Sequence, residues 1–414
     1  MSNAGPVQPS FFNALSLSTA PVTDEDWKVR EWEVQDLFSP ASPIDAVALI
    51  AGRGAQIEQL TDAVFEKGRH AILFGERGVG KTSLAITFHM RFASGMRSIV
   101  SIRRPAFPND DFSTLWRRVF DEMAVDDVRV STRYPGAITP DDVVRELAGF
   151  GQNILPIIIL DEFDKFTDVQ SKKLMSHTLK AISDDPGSNA TIIIVGVAED
   201  VKLLVEEHNS ISRNITEVKM PRMRKQEMDE ILDQRYPKVG MTILEDARFN
   251  IVNLARGLPE YVHFLGRDAA RSALKSHRLE IVASDVQIAI RNMVQSSDQT
   301  SDEAYTRAIL SNKKNNLYKQ VLLACALATT DDLGRFTPSD VLPPLTKLLG
   351  RPIKIANFFP HIEAFCSPER GAILEKKGVS KAYKYRFKEP KMQPYVLMRS
   401  VADGLIPADA IFSL

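Results

Sequence analysis

The sequence predicts an α/β chain: a parallel sheet between helices, then a small all-helical unit, then a C-terminal winged helix-turn-helix. Three observations carry this. Four short runs are apolar at nearly every position rather than at alternate ones, as strands covered on both faces must be. A glycine-rich loop with the spacing of a phosphate cradle follows the first of them. After Pro221 the strand-like runs stop and helical periodicity takes over, until a basic hairpin near the C-terminus.

The elements follow in order. Residues 1–45 hold Pro6, Pro9, Pro21, Pro40 and Pro43 with little periodicity, which predicts an extended arm. Residues 46–224 contain the four apolar runs, at 71–74, 98–102, 156–160 and 191–195, alternating with helical stretches, so this part builds the covered parallel sheet. Residues 225–297 carry amphipathic helices, with Tyr261, Val262, Leu265, Ala269 and Ala273 at helical spacing, and form a helical lid. The polar run 295–302 predicts a linker, placed at 298–312. In 313–414 a helix at 317–328, a capping signature at Thr337-Pro338-Ser339-Asp340 and a short helix at 358–365 precede β-like runs at 372–376 and 382–387, separated at Gly378. Three helices and a hairpin make the winged unit; Pro343, Pro344 and Pro360 predict that its middle helices are short or irregular.

Composition narrows the class. With 44% hydrophobic and 25% charged residues in 414, and no window near 18 consecutive apolar residues, neither a membrane-spanning nor a wholly disordered chain is expected. Cys325 and Cys366 cannot supply a disulfide framework or a four-thiolate zinc site, and the seven histidines are scattered, so no metal-ligand cluster is expected. The start has neither a basic nor an apolar leader segment, which gives a cytoplasmic expectation. The net charge of −1 conceals an asymmetry: residues 313–399 hold 16 Lys and Arg against 7 Asp and Glu, so the remainder is acidic. A basic module on an acidic body is a common layout for a nucleic-acid reader.

The chemistry sits in two motifs. Gly75, Glu76, Arg77, Gly78, Val79, Gly80, Lys81 and Thr82 satisfy G-x-x-x-x-G-K-[ST] after a predicted strand and before a helical run opening at Ser83. Glycines let backbone N–H groups converge on a phosphate, the helix adds its positive end, Lys81 reaches the terminal phosphates and Thr82 can ligate magnesium. The run at 157–160 ends in Asp161-Glu162. A carboxylate at the C-terminal edge of a strand beside that loop can hold the metal, here Asp161, and the next, Glu162, can orient the attacking water. Asp164 and Lys165 read as solvated turn residues.

These motifs resemble AAA+ and STAND-type P-loop ATPases, within them the clade containing origin-recognition initiators, over residues 46–297 and more loosely in the winged unit. The resemblance implies ATP and magnesium as ligands and an AAA+ core. It further implies that 49–53, ending in Arg53, lines the adenine pocket, that Arg213 of Ser212-Arg213 reaches a neighbouring subunit's nucleotide, and that Pro259 of Gly257-Leu258-Pro259 packs on adenine. An ordinary surface arginine is the other reading of Arg213. Two positions depart from the initiators: Glu199 stands where a polar amide follows the fourth strand, and Glu260 stands where a lid arginine falls, which favours the STAND-like lid.

In the basic hairpin, alternation puts Lys384, Arg386 and Lys388 on one face and Tyr383, Tyr385 and Phe387 on the other. The aromatic face reads as packing. The cationic face suits duplex DNA phosphates, or is an edge strand guarded by lysines against aggregation. Two functions follow: an ATPase whose nucleotide state sets domain angles, self-association and DNA binding, or an ATP-stabilised scaffold whose winged unit binds protein.

Overall fold

The computed structural model describes residues 23–38, 51–93, 98–125, 127–198, 201, 204, 211–311, 316–378 and 382–407. Most of the predicted arm, residues 49 and 50, Glu199 and Lys381 lie outside them. Five strands, β1 (His70–Gly75), β2 (Ile99–Pro105), β3 (Leu155–Asp161), β4 (Thr191–Val197) and β5 (Ile215–Met220), form one parallel sheet in the order β2-β3-β4-β1-β5. Alternate residues of a strand feed opposite cores, which is why the runs are apolar throughout. Ile157 and Ile159 belong to one core, with Leu60 of α2 (Gly54–Phe65) and Phe88 and Phe92 of α3 (Lys81–Ala93). Ile158 and Leu160 belong to the other, with Leu115 and Trp116 of α4 (Phe112–Phe120), Val143 and Leu147 of α5 (Pro140–Ala148) and Leu179 of α6 (Val169–Asp184).

One segment predicted to be extended is helical. Helix α1 (Asp24–Leu37) starts at a capping box between Thr23 and Asp26. It docks on the lid through Arg271 Nε to Glu31 Oε1 at 2.8 Å, while Phe38 just beyond it stacks near Tyr236 at 5.2 Å between ring centres. The prolines that suggested an arm flank this helix rather than interrupt it.

Four helices, α7 (Lys225–Arg235), α8 (Glu245–Ala255), α9 (Pro259–Lys275) and α10 (Ala283–Gln295), fall in 225–297. Most of the expected linker is helix α11 (Gln299–Ile309). The Asp298 carboxylate caps it at Ser301 N, 2.8 Å, and Tyr305 and Ala308 are buried, so the polar run is a helix start and not a loop. Then come α12 (Tyr318–Leu327), α13 (Pro338–Leu349), α14 (Ile355–Phe365), an antiparallel hairpin of β6 (Leu374–Lys377) and β7 (Lys384–Phe387), and α15 (Met392–Ala402). This is the helix and hairpin order of a winged unit, with an extra final helix. Pro343 and Pro344 lie inside α13 and Pro360 inside α14, contrary to the expectation of short or irregular helices. Each proline removes a backbone hydrogen bond, but Val341, Pro344 and Leu345, with Phe358, Ile362 and Phe365, are buried and hold both helices in place. No described helix is long and apolar enough to cross a membrane.

Candidate functional site

The carboxyl ends of β1, β3 and β4 meet at one edge of the sheet, where open α/β sheets bind ligands. The loop from Gly75 to Thr82 leaves β1 there and runs into α3, whose first residues are Lys81, Thr82 and Ser83. Gly78 and Gly80 take φ of 86° and 93°, in the left-handed region that a side chain disfavours. A Cβ on Gly78 would lie 3.6 Å from Leu258, and one on Gly80 would lie 3.8 Å from Pro259 Cγ. The Gly257-Leu258-Pro259 corner therefore rests against the loop, and Pro259 opens α9 directly above it.

Lys81 is only 7% exposed and folds back on its own loop, donating from Nζ to Gly75 O at 3.1 Å and to Glu76 O at 2.7 Å. Burial pushes its pKa down to about 8, against the pull of Asp164, Asp161 and Glu76. Thr82 Oγ1 donates to Asp161 Oδ1 across 3.4 Å, and the same oxygen accepts the Glu162 N–H at 2.8 Å. Asp161 is 1% exposed; its other oxygen meets Arg103 Nη2 at 2.5 Å. Arg53 is buried behind the loop, donating from Nη2 to Val79 O at 2.9 Å and to Pro221 O at 3.0 Å, while its Nε and Nη1 have no hydrogen-bond partner. A desolvated ammonium, with a hydroxyl and a carboxylate within reach of each other, suits a triphosphate with a divalent ion. Among the described residues no group of three or more His, Cys, Asp or Glu could hold a metal ion.

The remaining candidates divide. Glu162 has φ of 54° and its carboxylate meets Lys165 Nζ at 2.8 Å. Asp164 is not a solvated turn residue: its Oδ1 accepts the Val197 N–H at 2.8 Å, tying the turn after β3 to the end of β4. Lys165 is exposed in that turn, as expected, and is the partner of Glu162. Arg77 points outward, its Nη1 4.0 Å from Glu389. Arg213 lies in the turn before β5, at the opposite edge of the sheet from the loop, with its side chain 77% exposed and 3.9 Å from Asp184. A six-residue strand at about 3.3 Å per residue separates it from its own phosphate loop by roughly 20 Å.

Sequence reasoning missed Arg222. Its guanidinium forks onto Glu76 of the loop, Nε to Oε2 at 2.7 Å and Nη2 to Oε1 at 2.9 Å, with both side chains nearly buried. Its Nη1 donates to Arg256 O at 3.2 Å in the lid and to Gln393 Oε1 of α15. One side chain thus joins phosphate loop, lid and C-terminal unit. The signal was an acidic residue inside a phosphate loop, where a partner cation should be sought.

At the hairpin, Tyr385 and Phe387 are buried, as packing requires, whereas Tyr383 is 37% exposed. Phe336 pairs with Tyr385 through two 2.8 Å backbone bonds and covers the strand edge. Lys384 Nζ meets Asp331 Oδ2 at 3.0 Å and Arg386 Nε is ion-paired with Glu375. Lys388 is exposed.

A family model described as an AAA domain matches residues 65–204. No curated protein matches the chain. Among solved structures the chain is similar to the Aeropyrum pernix ORC1 protein in complex with DNA, at 16% identity over 91% of this chain and 97% of that one, with a TM-score of 0.48. The Aeropyrum pernix ORC2 protein, in ADPNP–ADP complexes, is 15% identical over 89% of this chain and 98% of its own, with a TM-score of 0.47. A Walker-type ATPase of Pyrococcus abyssi is 17% identical over 87% of this chain and 99% of its own, with a TM-score of 0.49. The segment that matches the AAA domain model opens just before β1 and takes in the glycine loop, Asp161 and Glu162.

Proposed function

We propose that the protein is an ATPase that uses binding and hydrolysis of magnesium-ATP as a conformational and assembly switch, read out by its C-terminal unit. The observation that carries this is the Arg222 joint, because the loop that would take the phosphates and the helix that ends the chain's last unit share one guanidinium. The working division is a core at 46–224, a lid at 225–297 and a winged unit at 313–414, with 298–312 between them. Lys81 and the loop N–H groups would bind the terminal phosphates, and Glu162, once released from Lys165, would orient water for attack on the terminal phosphoryl group. Thr82 and Asp161 are the residues that would hold magnesium, whose chemistry is to offset the phosphate charge. Arg53 and Pro259 would enclose the base end of the nucleotide. Arg213 would act on a neighbouring copy, since its own site is out of reach.

Duplex DNA is the partner proposed for the winged unit, supported by its helix and hairpin order and its basic balance. The solved Aeropyrum pernix ORC1 protein, which the chain resembles in fold, is in complex with DNA. The ion pairs of Lys384 with Asp331 and of Arg386 with Glu375 favour a second reading, in which ATP stabilises a scaffold and the winged unit binds protein. The deciding experiment is the ATPase rate across protein concentration, with and without duplex DNA. Stimulation by DNA supports the switch, and a flat rate near zero supports the scaffold.

A further inference from the structure

We propose that Arg103 is a positioning residue of the magnesium site, holding the Asp161 carboxylate from the oxygen that does not face Thr82. The inference rests on the reading of the site given above. Strand β2 carries two adjacent arginines, and the pleat sends them to opposite faces. Arg104 goes, half-buried, to the face that carries α4, where it pairs with Glu122 and its Nε donates to Arg118 O at 3.2 Å. Arg103 turns toward α3. In the register of β2 with β3, Pro105 is opposite Asp161, so Arg103 lies two residues back on the same face, within reach of the carboxylate.

The two oxygens of Asp161 are thereby given different work. Oδ1 takes the Glu162 N–H and the Thr82 hydroxyl and belongs to the phosphate side. Oδ2 takes Arg103 alone, at 2.5 Å. A carboxylate held at one oxygen can turn about its Cβ–Cγ bond; held at both, it presents a fixed edge to an incoming hydrated cation. Groups that orient a ligand in this way tune metal affinity without touching the metal. Among the described residues Arg103 Nε is buried without a hydrogen-bond partner, so no second acceptor fixes that nitrogen. The guanidinium also acts electrostatically on His89, whose Nδ1 is 2.8 Å from Ser101 Oγ and whose pKa is lowered by burial first and by this charge second. The absence of a second anchor for Nε and the neighbouring imidazole suit a side chain held for Asp161 rather than for packing.

The test is the ATP-induced rise in melting temperature of the full chain, titrated with magnesium at fixed ATP, for wild type, Arg103→Gln and Arg103→Lys. The magnesium concentration giving half of the rise should increase roughly 10- to 100-fold in Arg103→Gln, while the rise produced by ATP in EDTA stays at the wild-type value. Arg103→Lys keeps the charge and loses the planar fork, so it should fall between the two. An unchanged half-point in either variant overturns the proposal and makes Arg103 a structural counter-ion. A lower half-point also overturns it and makes Arg103 a competitor of the metal. A wild-type chain that shows no magnesium-dependent rise refutes the reading of the site itself, which separates the two failures. Should Arg103→Gln melt without a cooperative transition, the lysine variant alone decides by the same criterion.

Discussion

In the proposed function Lys81 is the residue on which nucleotide binding would turn. Its ammonium is desolvated and satisfied only by two carbonyls of its own loop, so a phosphate would replace weak acceptors with a charged one. ATP with magnesium at 100 times its dissociation constant should stabilise the wild type by about 2.7 kcal/mol; Lys81→Ala should show no shift in a thermal melt, and equal shifts in both proteins would remove the site assignment. The same residue sets a pH dependence. In the free protein its pKa is about 8, and bound phosphates raise it, so the complex holds a proton that the free site loses at higher pH. ATP affinity should therefore be full below pH 8 and fall as pH rises above it, by up to about tenfold per unit, in calorimetric titrations. Glu162→Gln should bind ATP as wild type does and lose turnover, since the amide keeps the shape but cannot act as a base. Normal hydrolysis in that variant transfers the role, with Asp164 the next residue to examine.

At the level of elements, the position of Arg213 makes a kinetic statement. Its place at the amino end of β5 rules out its own phosphate loop, so any contribution needs a second copy. Activity per subunit should rise with protein concentration, and Arg213→Ala should lower turnover by up to about a thousandfold with ATP affinity nearly intact. First-order dependence together with a normal Arg213→Ala rate returns it to the role of a surface arginine paired with Asp184. Elements also show what could be read beforehand. The central strands β1, β3 and β4 were legible because they are buried on both faces, and the loop because its glycine spacing is that of a phosphate cradle; β5, with Glu217 and Lys219 exposed, made no such apolar run. Helix α1 was not, because only Arg30 and Val34 of its residues are buried and the prolines around it dominate its composition. Helix α11 hid in a run of Ser and Asp that reads as loop until its apolar positions find a partner. The roles of Asp164, Arg103 and Arg222 escaped notice for a different reason: each works through a residue of another element, distant in sequence, and no local pattern marks such a pairing.

For the molecule as a whole, the basic segment is less free than its composition suggests. To meet DNA phosphates, Lys384 must leave Asp331 and Arg386 must leave Glu375. If Lys384, Arg386 and Lys388 all reach phosphates, replacing them with Ala should flatten the slope of log affinity against log salt by roughly two to three units, at about 0.9 per contact. The loss should be similar on unrelated sequences, because phosphate contacts position without specifying. A change of about one unit assigns the contact to Lys388 alone. Undetectable DNA binding at low salt moves the bet to a protein partner.

The Arg222 joint carries an obligation that runs in both directions. Whatever factor nucleotide exerts on the seating of α15, the seating of α15 must exert on nucleotide, because binding free energies around a closed cycle sum to zero. In the proposed function, a macromolecule that lifts Gln393 away from Arg222 would leave the guanidinium to Glu76 and the lid, and would change the affinity of a loop it never touches. A partner of the last unit would in this sense be an effector of the first, and the concentration of nucleotide would become one of the terms in that partner's affinity.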